Sequence, residues 1–484
     1  MANFGEFRGE LPPFPGRDKI PMLLLLQPRH FSQLFSLMAS LSEITAKNEA
    51  GLEVPDTKAQ IMSRRVWEIL LLLPTNPEIK QRLEDVDSES DMGSLLDPYC
   101  PQKLLYTFYI IDWLGRPARL RRQSGLVSDS LRQTDSPSWV TRFKQAGGLK
   151  QLASIFESGA LGRRGEAVWC EWKQDCLGAL LRLLVQFGVD TAESDVLADQ
   201  LVEGSGGPGP SGSRRRGKFE RHSHGARTKS HLMVPILSGA MLELMECPSV
   251  MVTLGHVFLD SKDGSSYRTG MFGRGQIVHF AMSLLVSWVY SDTSGQVEDM
   301  MLSQSEISVW LKQLLLEDPD PAVRREMCTG VYRLCLGSSS HGRTGAGMIA
   351  PLLAILLQYF ELAQTMKPPR RESINHPVLE TEPGKEPFGP ACRDYFWVLC
   401  KLVENLKLSE DNMDLVDIET LALRLCHGIT NRPWHERRQG GHTATADDAL
   451  IGMLNLMSAV LQHNPAFKQL AIGQELVDTL FMVT

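Results

Sequence analysis

The chain has 484 residues, 43% of them hydrophobic, and a formal net charge of −7. That hydrophobic share supports packed cores and excludes wholesale disorder. The negative balance excludes a general electrostatic pull toward nucleic acid or anionic lipid. No segment approaches the roughly 18 consecutive apolar residues that span a bilayer. The run Met22–Leu26 is too short, is followed at once by Gln27, Pro28, Arg29 and His30, and lacks a small-residue cleavage site, so neither a signal peptide nor a membrane span is expected.

Residues 1–20 contain Gly and Pro with little periodicity and read as a flexible N-terminal segment. Helical repeats follow over 21–114. Phe31, Leu34, Phe35, Met38 and Leu41 mark a first helix, a second runs from about Lys58 to Leu73, and Pro74 and Pro77 close it. A largely buried helix spans Pro101 to Trp113, and 115–137 is a Gly/Ser/Arg-rich linker.

Armadillo-like helices are expected over 138–190, with a break at Gly147-Gly148 and a stop near Gly159. A long helix from about Glu166 to Phe187 turns Trp172, Cys176, Leu180, Leu183 and Phe187 inward. Residues 191–230, with the Gly/Pro-rich start and Arg-rich end of their second half, have the composition of a disordered insertion.

Helical repeats resume over 231–366, where Ile277, Phe280, Leu284 and Trp288 form one stripe. The most informative stretch is 303–337. Ser303 and Glu306 have capping-box spacing, and Trp310, Leu311, Leu314 and Leu315 share a face. Asp318-Pro319 ends that helix, because a residue before proline is pushed out of the α region. Asp320 caps the next helix, Pro321 suits its first position, and Gly337 fits its stop. Val323, Met327, Val331 and Leu334 make the buried face of this second helix.

A Pro-rich loop covers 367–389, and C-terminal repeats cover 390–484. Their stripes are Phe396, Leu399, Cys400 and Val403, then Met453, Leu454, Met457 and Val460. No strand-period alternation with hairpin turns stands out. The expected fold is all-α: an armadillo/HEAT-like α-solenoid of paired helices with disordered insertions, against a compact non-repeating helical domain as the alternative.

Few residues carry chemistry. The nine cysteines form no Cys-x-x-Cys, and most read as reduced core residues rather than zinc ligands. Cys392, beside Arg393 at a helix start, is the one candidate nucleophile, and its apolar surroundings favour a structural role. His222, His224 and His231 lie together in a basic segment without acidic partners and read as a solvated loop. No phosphate-cradling or dinucleotide loop is present, so no cofactor is expected.

The run Arg214, Arg215, Arg216 and Lys218 is a candidate basic targeting patch. With Phe219 as its only aromatic it is poor for base stacking, which argues against nucleic acid. Arg-Arg-x-Ser occurs twice, making Ser124 and Ser373 candidate phosphorylation sites whose charge could dock or free a loop.

Taken in order, VWEILLLLPTNPEI, FYIIDWLGRPARLRRQS, WVTRFKQAGGLKQLASIFESG, DPDPAVRREMCTGVYRLCLG and ACRDYFWVLCKLVENL resemble the non-catalytic, armadillo-like region of giant ubiquitin-specific proteases of the fat-facets-related branch. The resemblance runs from about residue 22 to residue 482. In that family such a region precedes a papain-like domain with a Gly-x-Thr-Cys box and a distant His box. None of the nine cysteines here follows Gly-x-Thr, so the resemblance implies no catalytic residue in this chain. It implies a cytoplasmic helical scaffold, also nuclear if the basic run acts as a signal. Its partners would be ubiquitinated substrates, ubiquitin or regulators, presented to a cysteine protease domain. A free-standing armadillo-like adaptor in signalling or trafficking is the alternative.

Overall fold

A computed structural model describes residues 27–47, 51, 53–85, 89–116, 138–162, 170–194, 232–260, 272–292, 294–303, 307–318, 320–336, 346–365, 391–405, 418–430 and 448–463. Among them lie nineteen α-helices, one π-helical turn and two short antiparallel strand pairs. The all-α class and the pairing of helices match the expectation. The chain divides into two compact units, Met1–Gly188 with Ser238–Leu284, and Val189–Leu237 with Leu285–Thr484.

In the first unit, α1 (Pro28–Ser42) packs on α2 (Thr57–Leu72). Ser63 Oγ donates to the Met38 carbonyl and Gln60 Nε2 to that of Ser42, so the two helices run antiparallel. The Asp56 carboxylate caps α2 by accepting the Ala59 N–H at 2.8 Å. Asn76 caps α3 (Pro77–Glu84) in the same way, with Pro77 in the first turn. After α4 (Glu89–Leu95), α5 (Pro101–Gly115) packs on α1, on α3 and most extensively on α8 (Glu171–Gly188). Their meeting point is aromatic. Phe31, Phe35, Trp67, Tyr106 and Trp172 contact edge-to-face with centroids 5.4–6.4 Å apart, a geometry worth about 0.5–1.5 kcal/mol per pair beyond burial.

The Gly-Gly break joins α6 (Trp139–Gln145) to α7 (Gly148–Glu157). Gly147 adopts φ +81°, and a Cβ on Gly148 would meet the Phe143 ring at 2.4 Å. Each glycine is therefore demanded separately. Helices α9 (Gly239–Met245) and α10 (Pro248–Asp260) pack on α7. The boundary between the units falls inside α11 (Arg274–Ser291).

In the second unit, α12 (Gln296–Ser303) precedes α13 (Ile307–Lys312), a π-helical turn (Gln313–Glu317) and α14 (Pro321–Leu336). Two expectations need correction. Ser303 does not open a helix: it is the last residue of α12, and its hydroxyl donates back to the Met300 carbonyl. The helix expected after it is shortened, its last turn widened to π form so that Leu314, Leu315 and Leu316 are all buried. Asp318 is extended (φ −69°, ψ 125°), as a residue before proline should be, and Asp320 accepts the Ala322 N–H at 2.8 Å.

After α15 (Ala346–Leu357) and α16 (Phe360–Thr365), α17 (Ala391–Asn405) forms the centre of this unit. It packs on α14, α15, α16, the π turn and α19 (Asp448–His463), while α18 (Ile418–Thr430) packs on α19.

The strands differ from expectation too. β1 (Thr45–Lys47) pairs with β2 (Glu53–Pro55), and β3 (Val189–Ser194) with β4 (Leu232–Leu237). Three-residue strands leave no periodicity to read. The β3–β4 pair closes a connection far longer than a tight turn, so no hairpin signal exists.

Candidate functional site

Most sequence-derived candidates fall outside the described residues: Ser124, Ser373, Arg214, Arg215, Arg216, Lys218, His222, His224 and His231. Cys392 lies in α17, but its side chain is likewise outside the described set.

A nucleophilic thiol must ionise easily. Four of the described thiols go the other way. Burial raises Cys176 and Cys328 well above the ordinary value, Cys400 to about 12, and Cys426 less far. Cys176 is fully buried and donates to the Pro101 carbonyl at 2.9 Å. These are core groups held as neutral thiols. Among the described residues no set of three or more His, Cys, Asp or Glu is placed to hold a metal ion. Nor is any single described helix long and apolar enough to cross a membrane.

What the sequence did not announce is a pair of buried ionic centres. In the first unit, Arg64 of α2 is 4% exposed. Its Nη2 lies 2.6 Å from Asp175 Oδ2 and 3.3 Å from Glu171 Oε2, both carboxylates being on α8. The guanidinium sits 3.8 Å from the Trp172 ring centroid. Asp175 also accepts the Phe272 N–H at 3.1 Å, tying the start of the α11 segment to α8. Nearby, Arg116 and Arg182 both reach Asp112, at 2.9 and 3.1 Å.

In the second unit, Arg324 Nε of α14 donates to Asp394 Oδ2 of α17 at 2.9 Å, and Nη1 to the Asp318 carbonyl at 2.7 Å. Burial outweighs the guanidinium and raises the Asp394 carboxyl from 3.8 to about 6. Both centres clamp helices together.

Two surfaces are better placed to meet a partner. On α2, Ile61, Met62, Ile69 and Leu72 are 44%, 57%, 46% and 74% exposed and fall within about 100° of arc at 3.6 residues per turn. The signal was present in the sequence: the helix is apolar on two faces, and only one can be the core. On α17, Trp397 is 41% exposed and meets Tyr332 of α14 edge-to-face at 5.8 Å. Trp397 falls between the buried positions Phe396 and Leu399, off the stripe that the sequence marks.

No family model matches the chain. "Ubiquitin carboxyl-terminal hydrolase 34" of Mus musculus is 34% identical to it over 508 aligned positions, covering 97% of this chain and 14% of that protein. The Homo sapiens protein of the same name is 33% identical over the same shares. "Ubiquitin carboxyl-terminal hydrolase puf" of Drosophila melanogaster is 27% identical over 632 positions, covering 98% of the chain and 15% of the relative. The chain thus spans about 14–15% of the length of these curated relatives. It is homologous, over nearly all of its own length, to one segment of the giant fat-facets-related ubiquitin-specific proteases.

Proposed function

We propose that these residues are a non-catalytic helical-repeat scaffold of a large deubiquitinating enzyme. They bind ubiquitinated substrates, ubiquitin or regulators and present them to a cysteine protease domain that removes ubiquitin. The observation that carries this reading is the match of 97% of the chain to 14% of a much longer ubiquitin carboxyl-terminal hydrolase. Two further features support it. The described thiols with perturbed acidity are held as neutral core groups, opposite to what a nucleophile needs. Exposed apolar and aromatic side chains on α2 and α17 give the helices surface on which a protein could dock. The reading places the chain in the cytoplasm, with Ser124 and Ser373 as points of phospho-regulation and Arg214–Arg216 with Lys218 as a targeting patch.

Quantitative mass spectrometry of proteins retained by immobilised 1–484 tests recruitment. Enrichment of ubiquitin conjugates or ubiquitin-pathway proteins over a helical-repeat control is the expected result. Retention of neither would leave the chain as an adaptor unrelated to ubiquitin.

A further inference from the structure

The exposed apolar strip on α2 has a charged centre. Arg65 and Glu68, both exposed, pair with each other at 2.6 Å within the helix. At 3.6 residues per turn, Ile61, Arg65, Glu68 and Leu72 fall within about 60° of arc, in the alternating spacing of a helix–helix seam. Exposed Met62 and Ile69 lie together on one flank of that seam. The helices that α2 already meets use its far side: Ser63 and Gln60 bond carbonyls of α1, Arg64 bonds carboxylates of α8, and Trp67 meets Trp172 of α8.

The strip is symmetric about its own midpoint, which falls between Val66 and Trp67. About that point Ile61 mirrors Leu72 and Arg65 mirrors Glu68, while Met62 lies near the mirror position of Ile69. A two-fold axis there lays the helix antiparallel on a copy of itself, and in such an isologous contact every pairing occurs twice. Ile61 of one copy then meets Leu72 of the second, Arg65 meets Glu68, and the flanking Met62 meets Ile69. A parallel arrangement would instead set arginine on arginine and glutamate on glutamate.

We infer that α2 docks antiparallel on α2 of a second copy of this chain, forming a two-fold homodimer. Charge complementarity selects this occupant. Arg65 and Glu68 cancel within each helix, so the strip offers no net charge to a strongly acidic or basic partner, whereas an antiparallel copy meets each charge with its opposite. The long Arg and Glu side chains keep their heads at the solvent edge of a two-helix seam, which avoids the cost of a fully buried ion pair. One helix pair buries less than about 1,200 Å², the range of weak associations, so the dimer is one that forms at micromolar concentrations. The inference goes beyond the scaffold reading and does not depend on it.

Sedimentation equilibrium of purified 1–484 between about 1 and 100 µM tests it, with a reversible monomer–dimer equilibrium expected. Leu72→Glu should weaken association at least about tenfold. Arg65→Glu and Glu68→Arg should each do the same, because each sets like charges across the axis. An equimolar mixture of these two charge variants should recover dimers to within about threefold of the wild-type affinity, since one copy then brings only acids to the seam centre and the other only bases. All three side chains are exposed, and unchanged thermal midpoints would certify the folded variants.

A wild-type chain that stays monomeric at about 100 µM would overturn the inference. So would a dimer indifferent to Leu72→Glu, or a mixture of the two charge variants that remains monomeric. Co-sedimentation of a monomeric wild type with phosphatidylcholine vesicles, lost in Leu72→Glu, would assign the strip to a lipid surface instead. Dimerisation is read without ubiquitin present, so a failure to recruit ubiquitin-pathway proteins would fault the scaffold reading and leave this inference standing.

Discussion

Arg64 offers the sharpest test of how the first unit is held together. Replacing it with Met keeps most of the side-chain volume but takes the Arg64 guanidinium away from Glu171 and Asp175, which are 5% and 1% exposed. Breaking a buried ion pair by removing one partner costs about 3–5 kcal/mol. Loss of the guanidinium from the Trp172 face adds on the order of 1–2 kcal/mol. In a unit of this size each kcal/mol lowers the midpoint by roughly 2–4 °C, so differential scanning calorimetry should show a fall of roughly 8–28 °C.

The triple variant Arg64→Met, Glu171→Gln, Asp175→Asn should recover most of that loss, because the stranded charges are gone. Asn at 175 can still accept the Phe272 N–H through its Oδ1. Acid should also narrow the gap between the single variant and wild type, since a buried carboxylate that has lost its guanidinium binds a proton more readily than one that keeps it. A single variant within about 1 kcal/mol of wild type, or a triple variant as unstable as the single, would refute the claim that this centre clamps α2 to α8.

Asp394 sets a pH dependence in the second unit. Its carboxyl is raised from 3.8 to about 6, so between those values the folded state holds a proton that the unfolded state has released. Stability from this group is full below about pH 4, declines by at most about 3 kcal/mol as pH rises to about 6, and is flat above. Urea titrations across that window should show the slope in wild type and its loss in Asp394→Asn. Gly452 packs so that a Cβ would lie 2.6–2.7 Å from Phe396 ring and side-chain carbons. Gly452→Ala should then cost about 1–3 kcal/mol in the same assay, whereas an added Cβ in an open helical site would stabilise.

Helices were legible where one face carried all the information. Phe31, Phe35 and Met38 are buried as their spacing requires, as are Val323, Met327, Val331 and Leu334. Caps at Asp320 and the Gly147-Gly148 break follow from local backbone needs, so short windows reveal them. The π turn at Gln313–Glu317 was not legible, because widening a helix is decided by what packs against it. The ionic centres were hidden for the same reason. Arg64 reads as one of two adjacent surface arginines, and only the position of α8, more than a hundred residues later, shows that it is buried while Arg65 is not. The surface of Trp397 was concealed by the apolar residues on either side of it, since burial belongs to the pairing of α14 with α17 and not to composition.

The division between recruitment and chemistry is tested most directly by incubating purified 1–484 with a ubiquitin-amide reporter. The account predicts no release of the fluorophore above the uncatalysed rate, with or without prior alkylation of cysteine. Turnover by this chain, abolished by alkylation, would place a reactive thiol within these residues and contradict the proposed scaffold.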